Sequence, residues 1–195
     1  MAERAKDVGQ WGVNDRPLIE RIRDYDWDGG LAPGCAEISE LIGEDFDQIS
    51  KAFWDHYLSL PSTAHVRGYF IGDRMRDQLR ASAGYMAAKF RRPLDDAWLK
   101  MASKHADDAH KSRIPLSALL AGFAHAHSVT YGIPKTKLGD DAERLGRLGD
   151  VSQRMSMLES DFMASRLGAR DAELARDSRR ERLARFRDDI AGTVE

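Results

Sequence analysis

The stretch AEISELIGEDFDQISKAFWDHYLSL, Ala36 to Leu60, decides the fold class, because its apolar residues recur every three or four positions. That spacing predicts one apolar stripe along one or two consecutive α-helices. Pro61 follows directly and is expected to end the helical run, since proline lacks a backbone N–H. The stripe consists of Ile38, Leu41, Ile42, Phe46, Ile49, Phe53, Trp54, Tyr57 and Leu58.

Four further segments show helical spacing on both sides of short corners that contain proline or glycine. They begin near Asp73, Asp95, Pro115 and Asp140, and the third is expected to end near Gly132. Early acidic residues favour a helix start at Asp95, and Pro115 suits the first turn of the next helix. No strand or hairpin pattern is present. The sequence predicts an all-α fold of seven or so helices, and periodicity alone does not choose between a bundle and the globin arrangement.

The last helix carries a second apolar pattern with alternating spacings of three and four. Such heptad-like spacing is typical of contacts between helices, so it predicts a homodimer interface. After Gly168 the composition becomes strongly charged, which indicates a solvated helical linker. We therefore expect a flexible segment at residues 1–15, one domain at 16–168 and a linker at 169–195 toward a missing output domain. The pattern consists of Leu148, Val151, Met155, Leu158 and Phe162.

Composition limits the possible settings and partners of the protein. The chain has 195 residues, of which 42% are hydrophobic and 32% charged, enough for one core of ordinary size. The formal net charge of −2, without a block of like charges, does not indicate nucleic acid binding. The sequence has a single cysteine, Cys35, and it shows neither an apolar signal segment nor a run long enough to span a bilayer. These features predict a cytoplasmic protein without membrane insertion.

The sequence contains few motifs that indicate catalytic, nucleotide-binding or metal-binding chemistry. The sequence contains neither a phosphate-binding glycine loop nor a nucleophile elbow. His125 and His127 are two residues apart and His105 and His110 are five apart, so neither pair converges on one metal ion as an i, i+4 pair would. A zinc or di-iron site is therefore not expected. One histidine suffices only where the metal brings its own equatorial ligands, as haem iron does.

Three segments, taken in order, resemble the globin-coupled sensors, which are haem-binding globin domains that control signalling proteins. AFWDHYLSLP (52–61) is similar to the family's aromatic pair on a helix that ends at proline. DRMRDQLRASAGYM (73–86) is similar to its distal helix. HKSRIP (110–115) is similar to its proximal histidine motif, one residue shorter than the commonest spacing. The resemblance covers roughly residues 16–168 and implies a globin fold with an N-terminal extension and a long C-terminal helix.

The resemblance implies haem b (iron protoporphyrin IX) with His110 as the proximal iron ligand. His105 is the alternative: helical phase slightly favours it, whereas the motif spacing favours His110. Where most members carry a distal tyrosine this chain has Trp54, whose indole can donate a hydrogen bond but not accept one. Tyr57, one turn further along, could supply a hydroxyl instead. The expected walls of the haem site are Phe53, Trp54, Tyr57, Phe70, Leu79, Met101, Leu119 and Phe123.

The function that the resemblance implies is sensing of a diatomic gas, O2 or also CO or NO, by a non-enzymatic domain. The tail ARFRDDIAGTVE (184–195) is similar to the linker of methyl-accepting chemotaxis proteins, so chemotaxis (aerotaxis) is the first expectation for the output. A diguanylate cyclase or a histidine kinase is the alternative output. The homodimer is expected through the helices at 115–133 and 140–168. Two other readings stay open: a haem enzyme that oxygenates a substrate, and a haem-free helical dimerisation module.

Overall fold

A computed structural model describes residues 18–93 and 95–193, and these contain helices and no strand. The all-α prediction is confirmed for this part of the chain, while the expected flexible segment at residues 1–15 lies outside it. Two short 3₁₀ turns, Pro61–Thr63 and Arg67–Tyr69, follow the third helix. The α-helices are α1 (Leu18–Tyr25), α2 (Leu31–Ile42), α3 (Phe46–Ser59), α4 (Gly72–Arg91), α5 (Asp96–Lys111), α6 (Leu116–Leu138) and α7 (Ala142–Thr193).

The stripe that begins at Ile38 is divided between α2 and α3, with a break at Gly43. A Cβ atom on Gly43 would lie 2.7 Å from the Ser39 carbonyl oxygen, so the tight exit from α2 favours glycine. Ile42 and Ile49, on either side of the break, are fully buried in the same core. The stripe therefore anchors two consecutive helices, and Pro61 follows the end of α3 as the sequence predicts.

The corners that position the site follow helix-capping chemistry. Asp95 precedes α5, and its side chain accepts a hydrogen bond from the Ala97 backbone N–H at 3.1 Å. Pro115 directly precedes α6. The expected end near Gly132 is wrong, because α6 continues through Pro134 to Leu138 and stops at Gly139, which has a φ of 57°. Pro134 is buried, and its packing offsets the backbone hydrogen bond that proline cannot make.

The apolar pattern of α7 lies in the core of its own chain. Leu148, Val151, Met155 and Leu158 are at most 2% exposed, and α7 packs against α1, α2, α5 and α6. The interpretation of this pattern as a dimer interface therefore needs correction, since these side chains already have partners within the chain. Helical spacing reports an apolar face but not the helix that covers it.

The second half of α7 extends beyond the core. The helix passes through Gly168 without a break, and burial ends near Leu167. Leu174, Leu183 and Phe186 are then exposed among many charged residues. In the described residues no helix is long and apolar enough to cross a membrane.

Candidate functional site

A cavity of about 870 Å³ lies among α3, α4, α5, α6 and α7. Its volume is in the upper part of the range usual for sites of small molecules and cofactors. Three neighbouring turns of α3 contribute Ser50, Phe53, Trp54 and Tyr57 to one wall. Exposed residues of the α5–α6 corner border the opening, so a molecule bound inside can reach solvent at one side.

His105, on α5, contributes an imidazole to the cavity. Three aromatic rings surround it, with centroid distances of 6.1 Å to Phe53, 6.3 Å to Tyr85 and 5.9 Å to Phe123. Burial lowers the pKa of His105 below its usual value of 6.5, although the Glu159 carboxylate acts in the opposite direction. The imidazole is therefore neutral at pH 7, the form that ligates a metal ion.

His110 is not among the residues that line the cavity. Its Nε2 lies 3.1 Å from Oδ1 of Asp171 on α7. Five residues of helix rotate a side chain by about 140°, so His105 and His110 point in clearly different directions from α5. The geometry consequently favours the alternative ligand, His105, over the first choice made from the HKSRIP motif.

Most of the other predicted wall residues come together at the cavity. The exceptions are Leu79, which is partly buried against the core, and Leu119, which is fully buried elsewhere in it. Lys104, Asp108 and Arg113 border the cavity from the end of α5 and the α5–α6 corner. The predicted residues that line the cavity are Phe53, Trp54, Tyr57, Phe70, Met101 and Phe123.

Two buried donors on α3 lack hydrogen-bond partners among the described residues. They are the indole Nε1 of Trp54 and the hydroxyl of Ser50, one helical turn apart, and both residues line the cavity. A buried donor without a partner costs about 1–3 kcal/mol. A hydrogen-bond acceptor inside the cavity would remove that cost.

Tyr57 shares the α3 wall with Trp54. Its ring stacks on Phe53 with centroids 5.3 Å apart, and burial raises the pKa of its hydroxyl to about 12. The phenol is therefore protonated at neutral pH. Both residues weighed for the distal role lie in the same wall. Of these two, Trp54 carries a fully buried donor that has no partner among the described residues, and Tyr57 does not.

The inner end of the cavity contains a charged cluster that the sequence did not reveal. Lys89 of α4 donates to Oε2 of Glu159 on α7 at 2.6 Å, and the Tyr85 hydroxyl donates to Oε1 of the same carboxylate. The side chains of Lys89 and Glu159 are 7% and 4% exposed. Burial and the adjacent carboxylate raise the pKa of Tyr85 well above 10. Lysine and glutamate are usually solvated, so no sequence pattern marks them as internal.

A second group of charges ties α5 to α7. Asp107 accepts hydrogen bonds from Arg166, at 3.0 and 2.8 Å, and from Arg170, at 2.9 and 3.1 Å. These guanidinium groups hold the pKa of Asp107 well below its usual range. With the contact between His110 and Asp171, the helix that carries His105 is joined to α7 at two places.

One hydrogen bond crosses the opening of the cavity. Nε2 of His65, which follows the first 3₁₀ turn, lies 2.8 Å from the Ser112 carbonyl oxygen at the end of α5. The next residue, Arg113, has a φ of 55°, a left-handed conformation uncommon outside glycine. Together these contacts fix the α5–α6 corner at the edge of the cavity.

Comparisons with known proteins add no family to this geometry. No protein family model matches the chain, and no curated protein matches it at a significant level. Within residues 18–93 and 95–193, no three His, Cys, Asp or Glu side chains are grouped so that they could hold a metal ion. The site must therefore be interpreted from its own residues. These are two imidazoles whose pKa values burial lowers, those of His105 and His127, an apolar aromatic wall and unpartnered donors facing a large cavity.

Proposed function

We propose that this chain is a globin-type sensor domain that binds haem b through His105 and responds to a diatomic gas. The observation that carries the proposal is a neutral imidazole in the wall of a cavity of about 870 Å³. A haem iron needs only one or two ligands from the protein, so a single histidine is sufficient. The helix order and the predicted residues that line the cavity support the resemblance to globin-coupled sensors.

The residues that line the cavity are of the types that hold haem. His105 supplies the nitrogen ligand, and Phe53, Phe123 and Met101 provide apolar contacts for a flat macrocycle. The unpartnered Trp54 Nε1 supplies a donor within the same cavity. Haem, when bound, supplies an iron atom at which O2, CO or NO binds reversibly. The apolar side chains of the wall would limit the access of water to that iron, and burial favours the neutral form of the imidazole.

The contacts of α5 give the domain a route for signalling. Asp107, two residues from His105, is held by Arg166 and Arg170 of α7. Movement of α5 on gas binding would therefore act on α7, whose exposed end extends from the core. Gas binding can change the equilibrium between two positions of α7 only if the gas binds more tightly to the protein in one of them, and the change is limited by that difference in affinity. We propose that α6 and α7 form the homodimer through their outer faces and pass the signal to a C-terminal output domain.

The type of output is part of the proposal. Chemotaxis is the first candidate, and a diguanylate cyclase or a histidine kinase is the alternative. The charged continuation of α7 beyond Leu167 is suited to a linker, since it offers little apolar surface for folding back on the core. The domain itself acts as a binding module, so catalytic activity would belong to the output domain.

Titration of the purified full chain with haem tests the proposal. We expect a Soret band that saturates at one haem per chain, and a spectral shift when the ferrous protein is exposed to CO. Absence of a saturable Soret band would overturn the haem proposal and leave a haem-free helical dimerisation module. Turnover of an added substrate with O2 would instead identify an oxygenating haem enzyme.

Replacement of Trp54 by phenylalanine tests the distal donor. Trp54→Phe keeps an aromatic ring but removes the indole N–H, so a bound gas loses about 1 kcal/mol of hydrogen bonding. We expect the gas to dissociate about fivefold faster, measured by stopped-flow absorbance on the haem-loaded protein. Tyr57→Phe is the matched control on the same helix. An unchanged rate in Trp54→Phe, with a faster rate in Tyr57→Phe, would assign the distal contact to Tyr57.

A further inference from the structure

The charged residues that line the cavity are balanced inside it but not at its opening. Six such residues are present, and four of them neutralise one another in two ion pairs. These pairs are Lys89 with Glu159 and Lys104 with Asp108. The other two residues, Lys111 and Arg113, are exposed at the α5–α6 corner and form no ion pair within residues 18–93 and 95–193. The opening therefore carries two basic side chains without an acidic partner in that part of the chain.

Arg113 also has an unusual backbone conformation. Its φ of 55° is the one positive φ of a non-glycine residue among the described residues. The Arg113 N–H donates to the His110 carbonyl oxygen at 3.0 Å, and the Ile114 N–H donates to the Ala109 carbonyl oxygen at 2.9 Å. These two hydrogen bonds form a Schellman motif at the end of α5, in which the residue at the position of Arg113 is usually glycine. An arginine at this position is strained, because its Cβ atom lies too close to the following carbonyl oxygen.

The side chain of Arg113 is suited to bind an acid at the opening. Strained backbone positions are concentrated at sites that bind ligands. A guanidinium group is always charged, and it can donate two parallel hydrogen bonds to one carboxylate. The corner itself is held in place, since Ile114 is buried and His65 Nε2 lies 2.8 Å from the Ser112 carbonyl oxygen. Arg113 is therefore kept at the edge of the cavity.

We propose that Arg113, together with Lys111, binds the two carboxylates of haem b at the opening, so that the acidic edge of the macrocycle faces solvent. This inference rests on the proposed function, in which His105 ligates the iron. The inner end of the cavity is unsuited to these carboxylates, because Glu159 already neutralises Lys89 and a further buried carboxylate would lack a counter-charge. Arginine at position 113 thus lowers the stability of the haem-free fold and raises its affinity for haem.

Arg113→Gly tests the proposal through two effects of opposite sign. In the haem-free full chain we expect the Tm, measured by circular dichroism, to rise by about 2 °C, since glycine adopts this conformation without strain. In the haem-loaded chain we expect haem to pass to an excess of a haem-scavenging protein up to about fivefold faster, because an ion pair is lost. Arg113→Lys keeps both the charge and the strain, so it should resemble wild type. Lys111→Met should speed haem loss without the rise in Tm.

Two controls isolate the contact with the carboxylates. Haem dimethyl ester has no free carboxylate, so wild type and Arg113→Gly should lose it at equal rates. Lys135→Met removes an exposed charge away from the cavity and should leave haem loss unchanged. Loss of haem at the wild-type rate from Arg113→Gly and Lys111→Met, or faster loss of the ester from Arg113→Gly, would overturn the inference and leave haem at His105 standing. A lower Tm in Arg113→Gly would also overturn it, since Arg113 would then stabilise the corner itself. Absence of a Soret band in wild type would overturn the haem proposal and this inference together.

Discussion

His105→Ala is expected to abolish retention of haem, whereas His110→Ala is expected to leave it nearly unchanged. The His105 imidazole lines the cavity, and burial keeps it neutral. His110 lies next to Asp171 on the surface of α7, and its ring is not part of the cavity wall. Removal of the proposed iron ligand leaves only the contacts of the cavity wall to hold the macrocycle. Gel filtration of the haem-loaded variants, followed by the ratio of Soret to protein absorbance, measures retention.

Two controls make the comparison specific. Addition of free imidazole to His105→Gly should restore a Soret spectrum of the ligated type, because a small ligand can enter the space that the side chain leaves. Circular dichroism should show the helical content of wild type in both alanine variants. If His110→Ala loses haem and His105→Ala keeps it, the assignment of the ligand is wrong, although the haem proposal itself stands.

Glu159→Gln is expected to destabilise the fold by about 3 kcal/mol, because it leaves a buried lysine without its counter-charge. Lys89 donates to Glu159 at 2.6 Å, and both side chains are almost fully buried at the inner end of the cavity. Glutamine keeps the shape of the side chain but supplies no negative charge. Urea denaturation followed by circular dichroism measures the change in the free energy of unfolding.

A double variant separates the charge from the packing. In Lys89→Met with Glu159→Gln the buried positive charge is also removed, so much of the lost stability should return. Asp55→Asn, which breaks the exposed pair between Lys51 and Asp55, should cost less than about 1 kcal/mol. Equal effects of Glu159→Gln and Asp55→Asn would show that the inner end of the cavity is well solvated.

The sequence by itself determined the helices, because local spacing and capping act over a few residues. The stripe from Ile38 to Tyr57 predicted α2 and α3, and Asp95 and Pro115 marked the starts of α5 and α6. The predicted end of α6 near Gly132 was wrong, because a helix tolerates Pro134 in its interior when tertiary packing offsets the lost hydrogen bond. Similarly, six of the predicted wall residues line the cavity, since apolar residues on one face tend to share a core.

Only the tertiary structure decided which side chains meet. Periodicity placed His105 and His110 on different faces of α5, but the positions of α3, α4 and α7 determine that His105 faces the cavity and His110 faces Asp171. The same holds for the α7 stripe around Met155, which packs within its own chain. Contacts between helices depend on crossing angles and on close approaches, such as that of the Phe53 ring to Gly122. The spacing of residues along one helix does not predict either of them.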